Sequence, residues 1–350
     1  MPTSGEKSSP SVAVDAGGRE MLVTNPDKVF FPARGESKLD LVRYYLAISD
    51  AVMLQMHNRP VLLQRFPNGA TGSSFFQKRV PDSAPEWLTT TEVSTPNGTK
   101  SNALVVADIA HLVWAVNLGC LGFHAWPLRV KPDGTADELA DELRLDLDPQ
   151  PGTTFTMAVE AAHVVRELLD ELGLVGYVKT TGSRGIHVYL RLAHRWDSYA
   201  VRSAAVAAAR ELERRRPDLL TAQWWKEDRG KRIFVDFNQN APHKTVFAPW
   251  SVRARADALV STPVEWSELD AVDPESLTIA TAPERLRSGG DPWASIDDHP
   301  NDLTPLLAWI RRDEEAGLPD APWPPVYPKM PGEAARVAPS RARKPRPAPG

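Results

Sequence analysis

Two short stretches in which apolar and polar residues alternate constrain this 350-residue chain most strongly. One is Leu143-Arg144-Leu145-Asp146-Leu147-Asp148, and the other is Ile233-Phe234-Val235-Asp236-Phe237-Asn238. Successive side chains of a strand point to opposite faces, so such alternation specifies a half-buried strand. The leucines then face a core. Asp146 and Asp148 emerge together on the other face, roughly 7 Å apart at ~3.3 Å per residue. In the second stretch Ile233, Val235 and Phe237 face the core and Asp236 projects outward. Carboxylates that close repel one another, and a cation between them removes the conflict. Magnesium and manganese prefer oxygen ligands, a few carboxylates plus substrate phosphates. Three carboxylates on adjacent strands can hold two such ions, one activating an attacking hydroxyl and the other steadying a leaving pyrophosphate. Asp-x-Asp is also ordinary on a solvated strand, so the spacing alone does not decide.

The rest of the chain reads as one irregular mixture of helices and strands without strict βαβ alternation, which predicts an α+β fold. Helices are expected over 39–55, across MAVEAAHVVRELLDELGL, after Asp197 as a cap, and over about 302–316. GYVKTTGSRGIHVYLRL reads as a hairpin. Residues 1–18 lack the apolar core of a signal peptide and are expected to be a disordered leader. Residues 331–350 form a basic tail too poor in apolar side chains to fold. Between them an N-terminal module of about 19–138 and a metal-binding module of about 139–330 are expected. Cys120 is the one cysteine, so no internal disulfide is possible, and its apolar neighbours predict burial. No apolar run approaches the ~18 residues of a membrane span, so a cytoplasmic protein with no membrane partner is expected; association with the nucleoid and a monomeric state are expected as well. The net charge of −4 does not advertise nucleic-acid binding. Local patches still act within a Debye length of about 8–10 Å.

Lys179-Thr180-Thr181-Gly182-Ser183-Arg184-Gly185-Ile186-His187 combines turn glycines, hydroxyls and a cation. Such a loop can present N–H groups, hydroxyls and a guanidinium to phosphate oxygens, or it can be a plain hairpin turn. It has neither the Walker nor the dinucleotide spacing. Lys244 and Arg253 follow Asp236, and Lys226, Arg229, Lys231 and Arg232 precede it. Cations around an acidic strand match what a triphosphate requires. Phe75 and Phe76 stand beside Lys78 and Arg79. These rings either belong to a core or stack on bases, a contact that contributes ~1–3 kcal/mol per base. Lys28 and Lys38 carry no signal of their own.

With these residues placed, the chain resembles the polymerase domain of bacterial ligase D, in the archaeo-eukaryotic primase superfamily. Within that group it is most similar to the stand-alone primase–polymerases associated with ligase C. The resemblance runs from about 19 to 330, on TNPDKVFFP, RFPNG, SSFFQKR, DLDPQPG, TTGSRGIHVY, WWKEDRGKRIFVDFNQNAPHKTVF and DPWASI in this order. It implies a primase-type catalytic core with mixed or antiparallel sheets flanked by helices. It implies that Asp146, Asp148 and Asp236 bind two divalent ions, Mn2+ or Mg2+. Thr181, Ser183, Arg184 and His187 would belong to the triphosphate loop, with His124, Lys244 and Arg253 near the incoming nucleotide. Phe75 and Phe76 would meet the template, and Lys28 and Lys38 a downstream 5′-phosphate. The implied activity is template-directed extension of a primer 3′-hydroxyl from NTP or dNTP substrates, often ribonucleotides. The implied partners are gapped or broken DNA and an ATP-dependent DNA ligase. Two departures stand out: Thr181 where relatives often have Ser, and Trp250–Ser251 where they often have Tyr–Ser. A metal-dependent nuclease and a non-catalytic DNA-end binder are the alternative readings.

Overall fold

In a computed structural model of the chain, the residues described are 10–331 and 333. The chain opens with β1 (Ser11–Asp15), β2 (Glu20–Thr24), β3 (Val29–Phe31) and β4 (Glu36–Ser37), then α1 (Lys38–Ala47) and α2 (Ser49–Met56). Strands β5 (Pro60–Arg65), β6 (Phe75–Gln77), β7 (Thr90–Ser94) and β8 (Lys100–Val105) precede α3 (Ile109–Asn117) and β9 (Cys120–Ala125). Next come β10 (Leu139–Pro149), α4 (Phe155–Glu171), β11 (Tyr177–Thr180), β12 (Ile186–Asp197) and α5 (Ser198–Arg215). Short strands β13 (Leu220–Thr221), β14 (Ile233–Asp236), β15 (Val246–Phe247) and β16 (Pro263–Val264) lead to α6 (Ala282–Gly289) and α7 (Thr304–Glu315).

Local chemistry sets the helix starts. Ser37 and Asp40 form a capping box on α1, each side chain accepting the other's backbone N–H. Asp197 caps α5 by accepting the Ala200 N–H, as expected. The helix expected over 39–55 is interrupted at Ile48, which divides α1 from α2.

Two six-stranded sheets carry the molecule. One has the order β15-β9-β5-β8-β7, with β6 added on β5; the other has the order β13-β14-β10-β12-β11-β16. All pairings in them are antiparallel except β13 with β14, which is parallel. The expected α+β architecture is therefore present. One core packs the first sheet against α1, α2 and α3 through residues such as Leu41, Val52, Leu112 and Phe123. The other packs Leu143, Leu145 and Leu147 of β10 against Val165, Leu168, Ala205 and Leu212 of α4 and α5.

Three expectations about boundaries are corrected. Ser11–Asp15, read as leader, pairs along its whole length with β2, because β2 offers an unpaired edge whose register it completes. Residues 1–9 lie outside the described residues. Glu333, read as tail, is buried, and its carboxylate accepts the Trp323 and Met330 N–H groups. Residues 332 and 334–350 lie outside the described residues. The module boundary at 138/139 also fails as a simple cut. After β14 the chain returns to the first sheet as β15, and Ala248, Trp250, Val252, Val260 and Ile279 join the first core.

The polar face of β10 is not solvated above the acidic residues. Glu142 and Arg144 are 3% and 2% exposed, because the first sheet covers them. A buried ionic network fills that junction. Arg59 grips both Asp141 oxygens at 2.6 and 2.7 Å and reaches Glu142 at 2.7 Å. Arg144 and Arg191 add bonds to Glu142 at 2.7 and 3.0 Å. Burial disfavours these carboxylates, but the arginine charges overcome it and hold both Asp141 and Glu142 below the usual range.

Candidate active site

The register of the second sheet builds the centre of the site. Asp146 pairs with Asp236 across β10 and β14, with His187 across β10 and β12, and His187 in turn pairs with Lys179. Asp236, Asp146, His187 and Lys179 therefore form one row across four strands. Asp148 lies two residues along β10 on the same face. The third acid thus stands beside the first, as the reading of the two alternating strands requires.

The electrostatics follow from this crowding. Burial, and then repulsion from Asp146, pushes the Asp236 carboxyl up to about 6. Burial also pushes Asp146 up to about 6, against the pull of Lys179 and Arg253. Asp148 is raised by burial and by Asp146. His187 Nε2 lies 3.2 Å from Asp146 Oδ1. Burial and the charges of Lys179, Arg253 and Arg144 drive its imidazolium well below the usual range. It is therefore a neutral ring lying against Asp146. Lys179 is fully buried and donates to Ser261 Oγ at 2.5 Å.

Three hard oxygen donors whose crowding is only partly offset by nearby cations suit a divalent cation. Their side chains are still apart: among the described residues no group of three or more His, Cys, Asp or Glu is gathered tightly enough to close around an ion. Each outlying acid is engaged locally. Asp236 accepts the Asn238 N–H at 3.0 Å and Gln239 Nε2 at 2.8 Å, and Asp148 accepts Gln150 Nε2 at 3.2 Å. The donor set fits in chemistry and strand register, and side-chain rotation must complete it.

Opposite the acids stands the hairpin loop between β11 and β12. Asp146, Asp148, Thr181, Ser183, Arg184, His187 and Arg253 share the lining of one cleft of about 230 Å3. Thr181 Oγ1 accepts the Gly185 N–H at 3.2 Å, which leaves its own hydrogen to donate. Gly182 has φ +67°, and a side chain there would press on Arg253 and on the backbone at Val260. A Cβ at Gly185 would lie 2.9 Å from the Leu147 carbonyl, so only glycine lets the loop close over β10. Arg253 Nε donates to the Thr181 carbonyl at 2.5 Å, with its guanidinium stacked 3.8 Å from the Phe247 ring. Arg184 is exposed.

The outer expected residues fall into two groups. His124 lies between the Phe76 and Phe247 rings at 5.4 and 5.3 Å and is pushed down to about 4 by burial and by Arg253. Lys244 is half-buried and close enough for its charge to act on Asp236. Phe75 and Phe76 are 48% and 57% exposed, so they face solvent and are not a core. Lys28 and Lys38 lie further along the first module. Lys28 Nζ donates to the Pro67 carbonyl and to Asn68 Oδ1. Lys38 is 5% exposed and donates to Asn117. Burial, and then the charge of Lys28, pulls its ammonium down to about 8.

The model of the LigD primase-polymerase domain matches residues 37–293. The chain belongs to the LigD primase–polymerase family. Members are metal-dependent nucleotidyltransferases of the primase–polymerase type. The chain is 34% identical over 310 residues to the multifunctional non-homologous end joining protein LigD of Mycolicibacterium smegmatis, covering 88% of this chain and 40% of that protein. It is 31% identical to the bifunctional non-homologous end joining protein LigD of Bacillus subtilis, covering 84% of this chain and 46% of that one. It thus spans less than half the length of these curated relatives. The polymerase domain of Mycobacterium tuberculosis ligase D, solved in complex with DNA, superposes with a TM-score of 0.74 at 33% identity. That match covers 79% of this chain and 98% of the solved domain.

Around these acids, two contributors, Lys179 and Gln239, received no role from the sequence, and a third, Arg229, was read only as one of the cations preceding Asp236. Lys179 occupies the row beside His187; counting back symmetrically through the hairpin would have found that register. Gln239 holds Asp236. Arg229 stacks 3.5 Å from the Phe234 ring, and its charge acts on Asp236 and Asp148. The Thr181 departure keeps its hydroxyl in place. The Trp250 departure sits in the first core, fully buried, at φ +64°.

Proposed function

We propose that the chain extends primer 3′-hydroxyls on a template strand, at short gaps or breaks with a downstream 5′-phosphate. It works beside an ATP-dependent DNA ligase and prefers ribonucleotides. The observation that carries the reading is the direct pairing of Asp146 with Asp236, with Asp146 and Asp148 sharing a cleft with a phosphate-type loop. Magnesium or manganese ions held by these three acids would lower the pKa of the attacking hydroxyl and steady the departing pyrophosphate. The chain's own groups do the rest. Thr181, Ser183 and Arg184 bind triphosphate oxygens by hydroxyl and guanidinium contacts. Arg253 fixes the loop and adds positive charge, and Lys244 adds charge from the other side. Neutral His187 packs beside Asp146 without adding charge to the acids. Phe75 and Phe76 stack on template bases, and the Lys28–Lys38 pair receives the 5′-phosphate. The match to a polymerase domain solved with DNA supports the substrate class, and relatives named for end joining support the pathway.

The test is extension of a labelled primer on a gap with and without the 5′-phosphate, using NTP or dNTP and either metal. Lengthening that Asp146→Ala and Asp236→Ala abolish, without loss of fold, is expected. Metal-dependent shortening without nucleotides would establish a nuclease instead. DNA binding without any turnover would leave an end-binding protein.

A further inference from the structure

The strand that leads into the hairpin loop is short of ladder bonds at its end. β11 pairs with β16 at Val178 with Val264 and at Lys179 with Pro263, and a proline has no N–H to give. Side chains take over at the next position. The Thr262 N–H goes to the Thr180 hydroxyl at 3.2 Å, and the Thr180 carbonyl takes the Ser261 hydroxyl at 3.1 Å. Ser261 has then given its one hydrogen, so Lys179 Nζ, 2.5 Å from Ser261 Oγ, is the donor between them. Lys179, Thr180, Ser261 and Thr262 are all fully buried. Burial, and then the charge of Arg253, drive the Lys179 ammonium well below its usual range, and the pull of Asp146 only partly opposes this. A buried amine bonded to a neutral hydroxyl costs the fold free energy, so stability alone does not account for it.

The backbone of Ser261 binds the other half of the cleft. Its N–H donates to the Ser251 carbonyl at 2.9 Å, and its carbonyl accepts the Trp250 N–H at 2.7 Å. The Trp250 carbonyl in turn accepts the Tyr44 hydroxyl of α1 at 2.8 Å, which fixes this left-handed residue to the first core. Two residues after Ser251, Arg253 lines the cleft and donates back to the Thr181 carbonyl. The contacts close a ring through Lys179, Ser261, Ser251, Arg253 and Thr181. One arc of it carries Thr181, Ser183 and Arg184, and the other carries Arg253. We propose that Lys179 is a positioning residue for the nucleotide, fixing through Ser261 the spacing between the hairpin loop and Arg253. The proposal rests on the polymerase reading for its substrate. The Lys179 charge also acts on Asp146. Ser261→Ala separates the two routes, because it cuts the tie and leaves the amine in place.

Two measurements on the full chain read the clamp. One is primer extension at varied NTP. The other is calorimetric binding of inorganic triphosphate with manganese and no DNA, which needs no turnover. Ser261→Ala should raise KM for NTP and weaken triphosphate binding, each by about tenfold, with kcat changed by less than about twofold. Its melting temperature should fall, because the buried amine loses its partner. Lys179→Met should weaken triphosphate binding equally with no fall in melting temperature. The double variant should regain the melting temperature and not the affinity, since both changes break one tie. A purely structural lysine would give the opposite pattern, with stability lost and affinity kept, and that result would overturn the proposal. So would a loss of kcat in Lys179→Met while Ser261→Ala keeps its triphosphate affinity, which would place the effect on Asp146. Affinity losses that multiply in the double variant would also overturn it. A parent protein that binds triphosphate and extends no primer would sink the polymerase reading and leave the clamp to be decided by the triphosphate affinities of the variants.

Discussion

Lys38 shows how far a single side chain can depart from its sequence appearance. Read alone it is a surface lysine, yet it is buried against Asn117 with Lys28 as its charged neighbour. Its pKa of about 8 means that it loses its proton within an accessible range. A bound phosphate favours the charged form, so binding above pH 8 must take up a proton. The preference for a 5′-phosphorylated gap should therefore weaken as pH rises from 8 to 9, by up to about tenfold per unit. Equal discrimination at pH 7 and 9, measured by fluorescence anisotropy, would remove Lys38 from that role. The acids behave oppositely. With Asp146 and Asp236 near 6, protons occupy them below that pH and compete with a divalent ion. Apparent manganese affinity should fall by about tenfold or more per unit below pH 6. Calorimetry in buffers of different ionisation enthalpy should register proton release on binding at pH 6, and none at pH 8.

The strands decide how these side chains meet. The stretch from Ile233 was expected to alternate through Asn238, but β14 stops at Asp236, which caps a 3-10 turn through Asn240. Pairing with β10 does not stop there. Asn240 Oδ1 accepts the Arg144 N–H and Asn240 Nδ2 donates to the Arg144 carbonyl, so one amide side chain extends the ladder in place of backbone. Asp236 thus sits at a braced bend and not at a frayed end. The loop between β11 and β12 depends in the same way on one close approach. Gly185→Ala places a Cβ against the Leu147 carbonyl and pushes the loop off β10. Circular dichroism should stay native, while KM for the nucleotide rises by about tenfold to hundredfold through misplacement of the loop. An unchanged KM would show that the loop does not position the triphosphate.

Taken whole, the molecule is two sheets, each with its own helix-backed core, meeting across charge. Arg59 brings the first module to Asp141 and Glu142 of the second. Arg59→Met leaves two buried carboxylates short of a partner, a change that costs about 3 kcal/mol when a buried pair is broken. A urea midpoint shift of that order is expected, and Arg59→Lys should recover only part of it, because a bidentate fork becomes a point charge. No shift would mean that Arg129, Arg144 and Arg191 carry the junction by themselves. Since β15 returns the chain from the second sheet to the first, the cleft lined by Arg253 should deform with this junction. Loss of nucleotide affinity in parallel with stability is the expected signature.

The core faces of β10, α4 and α5 were readable in the chain, because side-chain periodicity is a local property and water enforces it residue by residue. The acidic wall was half readable: Asp146 and Asp148 share a face by alternation alone. Their meeting with Asp236, some 90 positions later, was not readable without the resemblance, since pairing between distant strands follows from the packing of the whole molecule. The same limit hid Glu142, Arg144, Lys179 and Lys38. A polar alternation looks solvated until a second sheet covers it, and only the folded chain determines which polar face is covered.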